Sequence, residues 1–295
     1  MLQTATIEEE ISAQPLPPTR ICIQGGAGAF HEIAARKILH GQALEIIPAI
    51  TFRELIDKVE HQEEADLGIM AIENTIAGSI LMNYRLIKES KLRIIGEVYL
   101  RIQQNLMALP GEKIQNLQEV HSHPVAIEQC RKFFRQHPHI RLIETEDTAL
   151  SAKNIWDNQL RGVGAIASEI AAEMYQMEIL AHSIETNKHN YTRFLLLQPI
   201  ERSKLPPESD KVSLCFAVDH IIGSLHKVLA VLSAYHANLT KIESAPIIGK
   251  PWEYLFFLDF VMDGDLTYQQ AIEAIRPITH DLKVLGIYKQ GKHFD

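Results

Sequence analysis

In the stretch HNYTRFLLL, residues 189–197, Asn190, Thr192 and Arg193 stand directly against four apolar residues, Phe194 to Leu197. Polar groups at the mouth of an apolar run meet either water or a ligand. Similar groups gather at comparable places elsewhere. AIENTIAGS sets Glu73, Asn74 and Thr75 just past an apolar run. VHSHP sets Ser122 and His123 before a proline, TEDTALSA carries Thr145 and Thr148, and GAIASE carries Ser168. QGGAGAF supplies glycines, Gly28 among them, where the backbone could approach a ligand and free N–H groups favour an anion. Each place, taken singly, is equally a helix cap or a tight turn. Taken together, around one predicted cleft, they give a polar small-molecule site.

Other chemistries find less support. His121 and His123 share a strand face, but no Cys, Asp or third His nearby completes a metal set. No Gly-x-Ser-x-Gly elbow is present. QGGAGAF lacks the full dinucleotide fingerprint and has no evident acidic partner. Cys130 falls inside an amphipathic helical pattern and reads as core. The aromatic run WEYLFFLDF reads as a packed strand rather than a platform for bases.

The elements that must position these groups alternate. RICIQ, LEII and LGIMAI read as strands separated by the helices FHEIAARKIL and FRELIDKVEHQ, the latter opened by a capping box of Thr51 and Glu54. The helix ILMNYRLIKE follows. The pattern restarts with the long β-like stretch LRIIGEVYLRIQQNLMAL. EVHSH then leads into a helix opened by Pro124, followed by IRLIET, DTALSAKNIWD, GVGAIAS, EIAAEMYQ, EILA and TRFLLLQ. Such alternation predicts two α/β lobes with a cleft between them. ERSKLPPESD, residues 201–210, is a linker. Residues 211–295 then read strand, helix, two strands, helix, strand, the ferredoxin-like βαββαβ order. Residues 1–19, acidic then proline-rich, read as a loose arm.

The chain has 295 residues, 46% hydrophobic and 22% charged, which suits a globular protein of about two domains. A formal charge of -8 argues against nucleic acid or an anionic membrane as partner. The 3 cysteines, Cys22, Cys130 and Cys215, are scattered, as in a reducing compartment. With no secretory signal pattern and no apolar run near the ~20 residues of a membrane span, a cytoplasmic location is expected.

The blocks GGAGAFHEIAA, GIMAIENTIAGSI, HSHPVAIEQC, TALSA, AIASEIAA and NYTRFLLL occur in the order and spacing of prephenate dehydratase, which the chain resembles. The tail VLAVLSAYHANLTKIESAPIIGKPWEYLFFLDF resembles that family's regulatory ACT domain. The resemblance covers nearly the whole chain from about residue 20 to residue 290. It implies a periplasmic-binding-protein-like catalytic domain over residues 20–200, its second lobe at about 98–177, and an ACT domain over 211–295. It also implies conversion of prephenate to phenylpyruvate with loss of water and carbon dioxide, without cofactor or metal. The monofunctional form, L-phenylalanine as effector, and a homodimer or homotetramer are implied as well.

On the same basis Thr192 matches the family's catalytic threonine. Asn74, Ser122, His123, Gln129, Thr148, Ser168, Asn190, Arg193, Phe194, Gly28 and His31 form the substrate-binding set. In a regular strand Thr192 and Phe194 point one way and Arg193 the other, which leaves a structural role open for Arg193. The effector set is Gly223, Ser224, Leu225, Glu243, Ser244 and Pro246. Three departures from the family pattern stand out. Ala29 and His31 replace hydroxyl residues, and Ala245 replaces an arginine, which should weaken the effector. Arogenate dehydratase is the alternative within the same chemistry. A non-catalytic solute-binding or amino-acid-sensing protein is the alternative outside it.

Overall fold

The computed structural model describes residues 17–61, 64–205, 208–262 and 266–294. Most of the expected N-terminal arm lies outside the described residues, and its last residue, Thr19, already begins a strand. Residues 206–207 of the expected linker also lie outside them.

The first lobe is built from β1 (Thr19–Gln24), α1 (Phe30–Ile38), β2 (Leu44–Ala49), α2 (Phe52–Glu60), β3 (Leu67–Asn74), the short β4 (Gly78–Ser79), α3 (Leu81–Glu89) and β5 (Leu92–Arg101). β1 runs parallel to β2 and to β3. Helices and the C-terminal domain cover both faces of the sheet, so β3 reads as a continuous apolar run buried from Leu67 to Ile72. At α2 the Thr51 hydroxyl accepts the Glu54 N–H, as expected. The Glu54 carboxylate also accepts the Ile50 N–H at 2.7 Å.

The chain crosses once at residues 102–104 into the second lobe. There β6 (Asn105–Ala108), β7 (Glu119–Ser122), α4 (Pro124–Phe134), β8 (Arg141–Glu144), α5 (Thr148–Asp157), β9 (Val163–Ala167), α6 (Glu169–Met174) and β10 (Glu178–Ala181) form a five-stranded sheet of order β10-β6-β9-β7-β8. This sheet draws on residues 105–181, not 98–177 as expected. Residues 98–101 finish a first-lobe strand, and 178–181 pair with β6. The chain returns through residues 182–190, alongside its outward crossing. Ile102 donates its N–H to the Asn190 carbonyl at 2.7 Å, and Ile184 to the Gln104 carbonyl at 2.7 Å.

The returning strand, β11 (Tyr191–Pro199), inserts between β3 and β5, antiparallel to both. Its apolar run follows from that central place. Phe194 and Leu196 join the cluster shared with α1 and the second lobe. Leu195 and Leu197 join the opposite cluster, which includes Leu255, Phe257, Leu285 and Tyr288 of the C-terminal domain.

That domain comprises β12 (Lys211–Ala217), α7 (Ser224–Ala234), β13 (Ala237–Pro246), β14 (Tyr254–Met262), α8 (Tyr268–Ile275), β15 (His280–Tyr288) and β16 (His293–Phe294). Its antiparallel order β13-β14-β12-β15 is ferredoxin-like. β15 also pairs with β5 at Gly286 and Ile94, so the domain's sheet and the first lobe's sheet continue as one of eleven strands. Only glycine fits at this seam, because a Cβ on Gly286 would lie 2.3 Å from the Ile94 carbonyl oxygen. β16 pairs with β5 as well.

Candidate active site

A cavity of about 270 Å³ opens between the lobes. Three helices begin at it. Ala29 and Phe30 open α1, Val125 and Ala126 lie in the first turn of α4, and Thr148 opens α5. Helix N-termini present unpaired N–H groups and partial positive charge, which favours carboxylate or phosphate. No lysine or arginine is among the lining residues. An anion bound here is therefore held by backbone and neutral side chains, against an overall charge of -8.

At the centre, Asn74 and Thr192 stand opposite each other where β3 pairs with β11. The Asn74 carbonyl oxygen accepts the N–H groups of Ile76 at 3.0 Å and Ala77 at 2.9 Å. This fixes the amide so that its nitrogen faces Asn190 Oδ1 at 2.7 Å, the Tyr191 carbonyl at 3.1 Å and Thr192 Oγ1 at 3.0 Å. Thr192 Oγ1 accepts a hydrogen bond, and its own hydrogen stays available to the cavity that it lines. Asn190 donates to Gln129 Oε1 at 2.9 Å, so a chain of amides from Gln129 to Asn74 supports the hydroxyl.

His31 lines the same cavity with its ring edge-on to Phe194 and tilted against Phe52. The Ala71 N–H points at its Nε2 at 3.3 Å. Nε2 therefore accepts, and Nδ1 carries the ring hydrogen. Burial pushes the His31 pKa down to about 3, so the ring is neutral at physiological pH. His123 caps α4 by accepting the Val125 N–H, and burial lowers its pKa against the pull of Asp147 and Glu144.

The cavity brings together Thr192, Asn74, His31, His123, Gln129, Thr148 and Phe194 of the expected set. Four other expected residues are placed elsewhere, and Asn190 acts behind the lining. Ser122 ends β7 and is fully buried, donating to the Ile166 carbonyl at 2.7 Å, so it is neither a cap nor a lining group. Ser168 caps α6 and donates to the Gly28 carbonyl at 2.6 Å, which ties the two lobes together. Gly28, at φ 84°, serves the same contact, since a Cβ there would lie 2.9 Å from Ala171 Cα. Its glycine allows the second lobe, rather than a ligand, to come close. Arg193 points to the opposite face of the sheet, where it is 3% exposed and bonded to Glu97, Asp259 and Tyr288. Strand alternation sends it there.

Four polar lining residues were not anticipated: Gln24, Gln104, Glu146 and Asp147. Asp147 caps α5 by accepting the Leu150 N–H at 2.8 Å, and burial raises its pKa despite N–H bonds from Leu150 and Gly26. A residue of capping type just before TALSA was the available signal. Gln104 lies in the first crossing between the lobes, which periodicity does not mark.

The expected effector residues divide between two elements. Gly223, at φ 83°, caps α7, which Ser224 and Leu225 open. Glu243 and Ser244 lie on β13, where Glu243 accepts from Ser79 Oγ of the first lobe at 2.7 Å. Ala245 is 1% exposed, packed in the cluster that joins the first lobe to the C-terminal domain. The Pro246 carbonyl accepts from Arg85.

Residues 21–202 match the family model described as prephenate dehydratase. The chain is 32% identical over 295 residues to a bifunctional chorismate mutase/prephenate dehydratase of Enterobacter agglomerans, covering 98% of this chain and 75% of the relative. It is 36% identical over 287 residues to arogenate dehydratase 2 of Petunia hybrida, covering 91% and 71%. Among solved structures it is similar to a prephenate dehydratase from Arthrobacter aurescens in complex with L-Phe, with TM-score 0.81, 26% identity and coverage of 92% and 90%. It is also similar to GqqA, described as a novel type of quorum-quenching acylase, with TM-score 0.81, 28% identity and coverage of 92% and 98%.

Proposed function

The chain belongs to the prephenate dehydratase family, and from that premise we propose how its cleft works. The enzyme is a hydro-lyase that converts prephenate to phenylpyruvate, with loss of water and carbon dioxide, in L-phenylalanine biosynthesis. Prephenate carries two carboxylates and a ring hydroxyl. The N-termini of α1 and α4 hold the carboxylates, with Thr148, His123 and Gln129 at the same surface. His31 offers its Nδ1–H as a neutral donor. The bond to the ring carboxyl breaks and its electron pair enters the ring. The C–O bond opposite breaks, and the departing oxygen takes a proton and leaves as water. Formation of the aromatic ring supplies much of the driving force.

Thr192 is the residue that assists the leaving oxygen. The observation that carries this role is the Asn74 amide held 3.0 Å from Thr192 Oγ1, which leaves the hydroxyl hydrogen to donate. An alcohol is a poor acid, so the hydroxyl relays a proton from solvent. No cofactor is needed for these steps. Release of phenylpyruvate from prephenate by the purified chain tests the reading, and no turnover would overturn it.

One feature favours arogenate as a second substrate. Glu146 and Asp147 line the cavity and no lysine or arginine among the described residues lines it with them, so the ammonium group by which arogenate differs would be welcome there. Kinetics with both substrates separate the two readings.

The C-terminal domain is proposed as an ACT domain that binds L-phenylalanine at the α7 entrance and β13. Its βαββαβ order and the L-Phe complex of the Arthrobacter aurescens relative support this reading. A homodimer or homotetramer in the cytoplasm fits the same reading, and no helix among the described residues is long and apolar enough to cross a membrane.

A further inference from the structure

We propose that Arg193 is a positioning residue through which the C-terminal domain holds Thr192 in its working place. This rests on the role given to Thr192 above. The two residues are neighbours on β11 and face opposite ways. Thr192 lines the cavity. Arg193 enters a sealed cluster between the first lobe and the C-terminal domain.

The cluster is unusual in its content. Arg193, Lys211, Glu97 and Asp259 are each at most 3% exposed. Arg193 Nε donates to Glu97 Oε2 at 2.7 Å, its Nη1 to Asp259 Oδ2 at 2.5 Å and its Nη2 to the Tyr288 hydroxyl at 3.0 Å. Lys211 Nζ donates to both Glu97 oxygens at 2.8 and 3.0 Å. The Tyr288 hydroxyl also meets Ser213 Oγ at 2.6 Å. Two cations and two carboxylates balance, and directed hydrogen bonds join them. Of Arg193's three close partners, Glu97 belongs to β5 and the first lobe. Asp259 on β14 and Tyr288 on β15 belong to the C-terminal domain.

The planar guanidinium fork has fixed directions for its donors. A shift of Asp259 or Tyr288 therefore moves Arg193, and with it the backbone that carries Thr192. The local backbone is suited to transmit such a shift. The pairing of β11 with β3 slips register between Arg193 and Phe194, and bulges of this kind re-aim side chains beside active sites. A second tie runs alongside. Lys241 of β13 pairs with Glu73 at 2.6 Å, next to Asn74, and Glu73 stands 4.0 Å from Arg193 Nη1. Both members of the Asn74–Thr192 pair are thus flanked by a residue in contact with the C-terminal domain.

Asp259→Asn and Tyr288→Phe test this in the full-length enzyme. Asp259→Asn should lower kcat on prephenate by about 10–100-fold, the scale of a small misplacement of a reacting group, with KM changed far less. Tyr288→Phe, which removes one hydroxyl and keeps the packing, should show a smaller loss in the same sense. Combined with Thr192→Ala, neither substitution should lower the residual rate further, because both act through that hydroxyl. A general loss of structure would instead depress the residual rate again. The γ-methyl NMR resonance of Thr192 reads the coupling without turnover, and should move in both variants even if prephenate were the wrong substrate. Wild-type kcat with an unmoved Thr192 resonance in Tyr288→Phe and in any folded Asp259→Asn protein overturns the proposal. So does a full multiplicative loss in the Thr192→Ala background.

Discussion

Asn74 donates from its side-chain amide to the Thr192 hydroxyl at 3.0 Å, across the pairing of β3 with β11. Removing either side chain should remove the same directed hydrogen. Thr192→Ala is expected to lower kcat by about 10²–10⁴-fold, the usual worth of a positioned proton donor, with KM little changed. Thr192→Ser should retain most activity. Asn74→Ala should lose much of the same factor, and the double substitution little more than Thr192→Ala alone. Steady-state kinetics on prephenate check this, and a kcat within about threefold of wild type for Thr192→Ala would remove it from the chemistry.

His31 should make stability depend on pH. Its folded pKa, pushed down by burial to about 3, lies below the unfolded value of about 6.5. Between those values the unfolded chain binds the extra proton. Stability is therefore full above pH ~6.5 and falls as pH drops, by at most about 1.4 kcal/mol per unit from this group. His31→Gln cannot take up that proton. Urea melts should show its stability falling by roughly 2 kcal/mol less than wild type between pH 7 and pH 5. Equal losses would show that the imidazole is not held neutral in the folded chain.

Glu97 is expected to matter to folding as much as to catalysis. It receives Arg193, Lys211 and the Gly291 N–H in a fully buried position. Glu97→Gln leaves two buried cations facing one carboxylate. A destabilisation of about 3–5 kcal/mol follows from breaking such a pair on one side, measurable by urea denaturation at pH 7. A loss under about 1 kcal/mol, the scale of exposed pairs, would mean that water reaches the cluster.

Phenylalanine inhibition should survive at reduced affinity, and the simplest repair should fail. Ala245, which the resemblance sets in place of an arginine, is packed among Leu255, Phe257 and their neighbours. Ala245→Arg would force a long charged side chain into that cluster. The expected outcome is a lower melting temperature, since overpacking alone costs about 1–3 kcal/mol. Phenylalanine titration of turnover in the wild type, alongside thermal melts of the variant, checks both halves.

Turnover should be indifferent to a chelator. The groups that face the cavity are amides, hydroxyls, imidazoles and helix N-termini, with Glu146 and Asp147 at α5. Dialysis against a chelator, followed by an assay without added metal, should leave the rate unchanged. Loss of activity restored by a single metal would contradict the proposed chemistry.

Much of this architecture was legible because the periodicities are clean. Strand and helix runs from RICIQ to LKVLGIYK fall on the observed elements, and simple alternation along TRFLLL already separated Thr192 from Arg193. What alternation could not supply was the destination of Arg193. Its partners lie on β5, β14 and β15, brought together only by the pairing of two sheets. Ser122 and His123 show a finer limit. Ser122 is the capping type before Pro124, yet it is the last strand residue, and His123 takes the cap instead. Gly28 was legible as a site of close approach but not as to what approaches, because the second lobe is distant in sequence.

The seam between Gly286 and Ile94 bears on how this protein can be cut and recombined. If the chain were ended in the linker, β5 would become a bare outer strand with its ladder groups unpaired. Ile94, Leu195 and Leu197 would lose the neighbours Phe257, Leu285 and Tyr288. Open edges of that kind recruit other chains into aggregates. The C-terminal domain is thus a cover over an edge and an apolar face of the first lobe. In a catalytic fragment without it, polar residues at Ile94, Leu195 and Leu197 should reduce self-association.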